Sequence, residues 1–174
     1  LTFKKMSENA KDQNERKVLL AGKVEDMINT VIRQIAFYDF ECKLHEARKA
    51  GELTPDDINA LWMSVQGESL GPAFEFMDGY ETFWAYIPHF VHSPFYVYAY
   101  AFGDGLVNAL YAVYEAAPDG FQEKYFDMLK AGGSQHHKDL LAPFGLDASD
   151  PTFWQQGLSM ISSMIDELEA METP

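Results

Sequence analysis

Residues 12–50, DQNERKVLLAGKVEDMINTVIRQIAFYDFECKLHEARKA, decide the fold class of this chain. Apolar residues recur three or four apart at Leu20, Val24, Met27, Val31, Ile35, Tyr38 and Cys42. That spacing puts them on one face of a helix. Asp12 is the expected N-cap, because its carboxylate can accept from the unpaired N–H groups of the first turn. Gly51 is a fitting residue just past the helix end. The stretch predicts one helix from 12 to about 50. Such a helix needs a partner for its stripe, since propensity alone holds little. A multi-helix assembly is therefore expected around it.

The flanks agree. Thr54-Pro55-Asp56-Asp57 is a second helix start: Thr54 caps, Pro55 suits the first turn, and the two Asp favour the positive helix end. This helix is expected to reach about Gln66, before Gly67, Gly71 and Pro72 break the chain. Asp78-Gly79 signals a turn, and Tyr80–Ile87 reads as a short helix ending before Pro88. Ser93-Pro94 reads as the opening of a helix running to Ala116, closed by Pro118. Phe121–Ala131 forms another, stopped by Gly132-Gly133, and Ser134–Leu141 one or two turns more. Asp150-Pro151 starts the last, to about Met171. No segment alternates at period two, and no linker divides the chain. The expected fold class is all-α, with residues 1–174 forming a single helical domain or domain fragment.

Charge and composition exclude several functions. Thirteen Lys and Arg stand against 27 Asp and Glu, a net charge of −14. Such a surface repels phosphate backbones and anionic lipid, so neither nucleic acid nor a membrane surface is an expected partner. A charge-steered ligand would be cationic or peptide-like. The single cysteine, Cys42, rules out an internal disulfide and fits a reducing, cytoplasmic location. No apolar run approaches the ~18 residues a membrane span needs. The chain opens at Leu1 without an initiator Met, and Leu1–Met6 reads as the end of a preceding element. A fragment is expected, with exposed faces that favour self-association.

Few motifs carry chemistry by themselves. His45-Glu46-Ala47-Arg48-Lys49 nearly makes a zinc-peptidase helix, but Lys49 stands where the second His would be. The exposed end of the long helix is the better reading. His89 and His92 are three apart, yet Pro94 follows closely and no carboxylate is spaced to complete a metal site. His136 and His137 are adjacent and would point apart on a helix. Cys42 lies on the apolar stripe and reads as core. Gly103 and Gly105 sit in a helix, where they allow close approach of another backbone. The aromatic stretch Phe95-Tyr96-Val97-Tyr98-Ala99-Tyr100 says more. Tyr96 and Tyr100 are one helical turn apart, and phenol hydroxyls on a cleft wall can donate to a developing oxyanion. Spacing alone still favours packing for these rings.

Ile87-Pro88-His89-Phe90 followed by Pro94-Phe95-Tyr96-Val97-Tyr98-Ala99-Tyr100-Ala101 resembles the C-terminal part of the oligoendopeptidase F family, zinc metallopeptidases related to thimet oligopeptidase. Thr30–Glu41 with His45, Gly51-Glu52-Leu53-Thr54 and Gly132-Gly133-Ser134 fit the same family, in order, over nearly the whole chain. The resemblance implies the C-terminal part of a larger helical peptidase catalytic domain, with a channel for short unfolded peptides. It implies a zinc held by a His-Glu-x-x-His helix and a further Glu, all placed before Leu1, with the motif Glu as general base. Leu1-Thr2-Phe3 looks like the segment after the third ligand. The missing N-terminal part of the same protein would then be this chain's partner. The resemblance assigns His89 and Tyr100 to catalysis, and His92, Tyr96 and Tyr98 to substrate binding, with Tyr96 and Tyr98 not distinguished.

Two functions follow. In one, the parent hydrolyses internal bonds of short peptides, and this chain alone neither holds catalytic zinc nor cleaves. In the other, the chain is a non-catalytic helical module whose aromatic groove binds a peptide or partner helix. A small metal or cofactor bundle is disfavoured, because paired Glu-x-x-His ligands are absent.

Overall fold

A computed structural model describes residues 2–172, apart from the side chains of Gln156 and Glu172. Leu1, on which the expected continuation from a preceding element rests, lies outside them. The helices in chain order are α1 (Thr2–Glu8), α2 (Gln13–Met27), α3 (Arg33–Ala50), α4 (Pro55–Leu70), α5 (His89–His92), α6 (Tyr98–Ala116), α7 (Phe121–Ala131), α8 (His137–Leu141) and α9 (Pro151–Glu172). No strand occurs among the described residues, and no helix there is long and apolar enough to cross a membrane. The all-α expectation is met.

The expected helix starts are built as capping chemistry requires. Asp12 Oδ1 accepts from Glu15 N–H at 2.8 Å. Thr54 and Asp57 form a reciprocal capping box: Asp57 N–H donates to Thr54 Oγ1 at 3.3 Å and Thr54 N–H to Asp57 Oδ2 at 2.8 Å. Thr152 N–H donates to Asp150 Oδ1 at 2.9 Å at the start of α9.

The long helix departs from expectation in its middle. Between α2 and α3 lies a π turn, Ile28–Ile32, closed by Arg33 N–H on the Ile28 carbonyl five residues back. A π turn takes in one extra residue and rotates the face that follows. Leu20, Val24, Met27 and Val31 are buried as expected, but the next buried residues are Ala36, Phe37, Phe40 and Glu41. Ile35 and Tyr38 turn outward, and Cys42 is only half-buried. Gly51 ends α3 in extended rather than left-handed backbone. Helix α4 runs through Gly67 to Leu70, and the positive φ of Gly71 stops it. Helix α6 starts at Tyr98 rather than at Ser93-Pro94, because Phe95 takes φ +60°, which no helix can include.

The chain forms two compact units. One holds the residues up to Asp26 and from Gly103 onward, the other Met27–Phe102. In the first, Ala109, Leu110, Leu141, Phe144, Leu146 and Phe153 make the core. Gly105 admits the Trp154 ring, and a Cβ on Gly157 would meet Gly105 Cα at 3.6 Å, the close approach expected of Gly105. Gly103 has open space instead. In the second unit, Trp62 is fully buried against Phe37, Phe40 and Phe90. Its Nε1 donates to the Tyr80 carbonyl at 3.0 Å. Tyr80 Oη donates to Gln66 Oε1 at 3.1 Å, and its burial raises the Tyr80 pKa. These contacts tie the 3₁₀ segment Tyr80–Tyr86 to α4.

Two stability outcomes follow. Thr54→Ala should lower stability by about 1 kcal/mol in urea unfolding without changing the slope. The Asp57 pKa is depressed, chiefly by its Thr54 hydrogen bonds, so its share is present above the unfolded-state pKa and lost as pH falls through the folded value. Gly105→Ala would put a Cβ 3.0 Å from the Trp154 ring, which is held by its Nε1 bond to the Ala148 carbonyl. A lower Tm and a loss of roughly 1–3 kcal/mol are expected.

Candidate active-site wall

The second unit brings part of the predicted site together. Helix α5 is a single turn, and it carries His89 at its start and His92 at its end. The chain then bends through Ser93, Pro94 and Phe95 before α6 begins, and Val97, fully buried in the core, anchors this return. The outcome is a hydrogen bond between His89 Nε2 and Tyr100 Oη at 3.1 Å. Tyr96 joins them. Its ring stacks on His89 at 6.1 Å and 4°, and meets Tyr100 edge-on at 5.8 Å. Tyr96 precedes α6, so the two tyrosines meet through the turn and not through helical spacing. Tyr96 is 52% exposed and Tyr100 41%, so both can meet a ligand.

The other candidates fall elsewhere. Tyr98 lies against Tyr38 at 5.7 Å, and Tyr38 also meets Phe95 at 6.0 Å. A hydrogen bond with the Cys42 thiol raises the pKa of the Tyr38 hydroxyl. His92 is exposed, and among the described residues no hydrogen bond or ring contact joins its side chain to His89, Tyr96 or Tyr100. His45 is exposed, with its ring 4.7 Å from Phe95. His136 and His137 do not point apart: His136 caps α8 from outside it, and their exposed rings lie 4.1 Å from each other.

The sequence reading missed Glu41. Its side chain is fully buried, and Oε1 accepts from the Phe95 backbone N–H at 2.9 Å. Among the described residues, no hydrogen-bond partner meets Oε2. The apolar stripe drawn through Ile35, Tyr38 and Cys42 put Glu41 off the buried face, whereas α3 turns Ala36, Phe37, Phe40 and Glu41 inward. Among the described residues, no three His, Cys, Asp or Glu stand close enough to hold a metal ion. What these side chains offer is hydrogen-bond donors and flat apolar walls.

The chain is similar to known proteins over most of its length. The model of peptidase family M3 matches residues 1–160. A plasmid-encoded oligoendopeptidase F of Lactococcus lactis subsp. cremoris is 31% identical over 163 residues, covering 93% of this chain and 27% of that protein. Oligopeptidase PepF of Bacillus subtilis (strain 168) is 30% identical over 164 residues, 94% of this chain and 24% of its own length. The crystal structure of oligoendopeptidase-F from Enterococcus faecium superposes with a TM-score of 0.85 at 25% identity, over 98% of this chain and 33% of that one. The chain thus spans about a quarter of the length of the curated relatives it matches.

The hydrogen bond and the separation of Tyr96 from Tyr98 have a direct readout. Tyr100→Phe should displace the nitrogen resonances of the His89 ring in NMR spectra. Tyr98→Phe, on the Tyr38 side, should leave them in place.

Proposed function

The chain belongs to peptidase family M3, and from that premise we propose that it forms the C-terminal part of a cytoplasmic zinc oligoendopeptidase that hydrolyses internal bonds of short peptides. The observation that carries this reading is the 3.1 Å pair of His89 Nε2 and Tyr100 Oη on a half-exposed aromatic surface. Two polar groups of this reach converge where a single carbonyl oxygen can sit. As a peptide carbonyl becomes tetrahedral, charge gathers on that oxygen. Tyr100 donates its O–H there, while His89 orients the phenol in the resting state and can donate in turn. Tyr96, stacked on His89, holds the imidazole plane and offers a flat wall to the peptide. His92 and Tyr98 are further substrate contacts in this proposal, on neighbouring surfaces.

The described residues do not fit a zinc site. In the proposal the metal belongs to another part of the same protein, and bound zinc would supply Lewis-acid chemistry and an activated water. By itself this chain is then expected to be inactive, with the rest of the protein as its partner. Its net charge of −14 disfavours nucleic acid and anionic membranes as alternatives.

The rival is a non-catalytic peptide-binding module, favoured by the same exposed aromatic surface. Reading the source gene upstream of the Leu1 codon separates the two. An open frame encoding His-Glu-x-x-His and a further Glu is expected; a start codon with no such motif would leave only the binding module. In the whole protein, Tyr100→Phe and His89→Ala should each lower kcat by about 10² with little change in KM, the loss of a donor worth about 3 kcal/mol to the transition state. An unchanged kcat in both would remove them from the mechanism.

A further inference from the structure

We infer that Glu41 is a positioning residue: its buried carboxylate, through the Phe95 backbone N–H, fixes the turn that brings Tyr100 to His89. The inference rests on reading His89 and Tyr100 as a working pair. Phe95 is the one non-glycine residue with positive φ among those described, at +60°. Aromatic side chains rarely adopt that conformation unless something holds them there. The 2.9 Å bond from Phe95 N–H to Glu41 Oε1 is what holds it. The carboxylate comes from α3, in the helix turn that also carries Phe37 and Phe40 into the core. The turn is therefore referenced to the hydrophobic core of this unit. Tyr96 N–H then donates to the Ser93 carbonyl at 3.2 Å, Val97 is buried, and Tyr100 N–H donates to the Val97 carbonyl at 3.2 Å. Each step carries the orientation set at Phe95 forward to Tyr100.

Packing alone does not call for a carboxylate here. Glu41 Oε2 is buried without a hydrogen-bond partner among the described residues, a costly state for an acceptor. The hydrogen bond the side chain makes there is to the turn. Nothing in this arrangement puts Glu41 in contact with a ligand, so its effect passes through Phe95.

The test compares Glu41→Gln, Glu41→Ala and the double variant Glu41→Ala with Phe95→Gly in the full chain. The first readout is the His89 ring nitrogen resonances, scaled to the displacement caused by Tyr100→Phe. Glu41→Gln keeps an oxygen acceptor and should leave them near their original positions. Glu41→Ala should displace them in the direction of Tyr100→Phe, by about half as much or more. Adding Phe95→Gly should return them, because glycine takes positive φ without strain. In the assembled peptidase, Glu41→Ala should lower kcat about tenfold with KM within about twofold, as expected for misplacement of a reacting group. A Glu41→Ala protein that melts cooperatively with unmoved His89 resonances overturns the inference. If Glu41→Ala does not fold, Glu41→Asp, one methylene short of the Phe95 N–H, replaces it with the same two outcomes. Resonances that behave as expected beside a kcat indifferent to His89→Ala and Tyr100→Phe would remove the pair from the mechanism and leave the positioning role standing.

Discussion

The face that α3 turns into the core, formed by Ala36, Phe37, Phe40 and Glu41, is what the second unit is built on. An uninterrupted α-helix would bury Ile35, Tyr38 and Cys42 after Val31. The π turn at Ile28–Ile32 breaks that register, and the aromatic core around Trp62 takes Ala36, Phe37 and Phe40 instead, with Glu41 buried beside them. Phe37 and Phe40 receive the Trp62 ring, and Phe90 from α5 packs against all three. The outward side chains, Tyr38 and Ile35, become surface. The same face carries Glu41, which meets the Phe95 N–H. Core and candidate site are thus consequences of one register.

That arrangement contains two unfavourable features. A left-handed phenylalanine and a buried oxygen without a partner each cost on the order of 1–3 kcal/mol. Aromatic burial is the term large enough to offset them. Trp62, Phe40 and Val97 are almost wholly removed from water, and each large side chain so buried contributes roughly 1.5–3 kcal/mol. Paired rings at 5.2–5.7 Å add smaller amounts. Strain held by a well-packed core is strain that keeps its geometry, and a hydrogen-bonded pair at a half-exposed surface needs such a frame. Without it, Tyr100 and His89 would each choose among rotamers and solvent partners.

Where local chemistry decides the backbone, the sequence was legible. Asp12, Thr54 with Asp57, and Asp150 each cap the helix they announce, because the cap and the N–H groups it satisfies lie within three residues. Glycines at 71 and 132 end helices for an equally local reason. Reading failed where the determinant was distant. A π turn leaves no mark in the pattern of apolar residues other than one five-residue step, Val31 to Ala36, hidden among the closer apolar residues Ile32 and Ile35. Ser93-Pro94 has the composition of a helix start, but Phe95 is held out of helical backbone by a carboxylate 54 positions earlier. Tyr96 and Tyr100 do share a surface, for a reason other than helical spacing.

The same bend sorts the tyrosines that the resemblance could not separate. A continuous helix from Pro94 would set Tyr96 and Tyr100 on one stripe and Tyr98 on another, and would give no reason for His89 to meet either. With the helix starting at Tyr98, the turn folds Tyr96 back over the imidazole, and Tyr98 goes to Tyr38. Two aromatic surfaces result, one centred on His89 and one on Tyr38. The first alone joins an imidazole nitrogen to a phenol oxygen. On the proposed reading, chemistry belongs to it, and the Tyr38 surface, with Tyr98 and the exposed His45, is left to hold the peptide chain. The division follows from the turn at Phe95, which folds Tyr96 back over His89 and opens α6 with Tyr98 on the Tyr38 side.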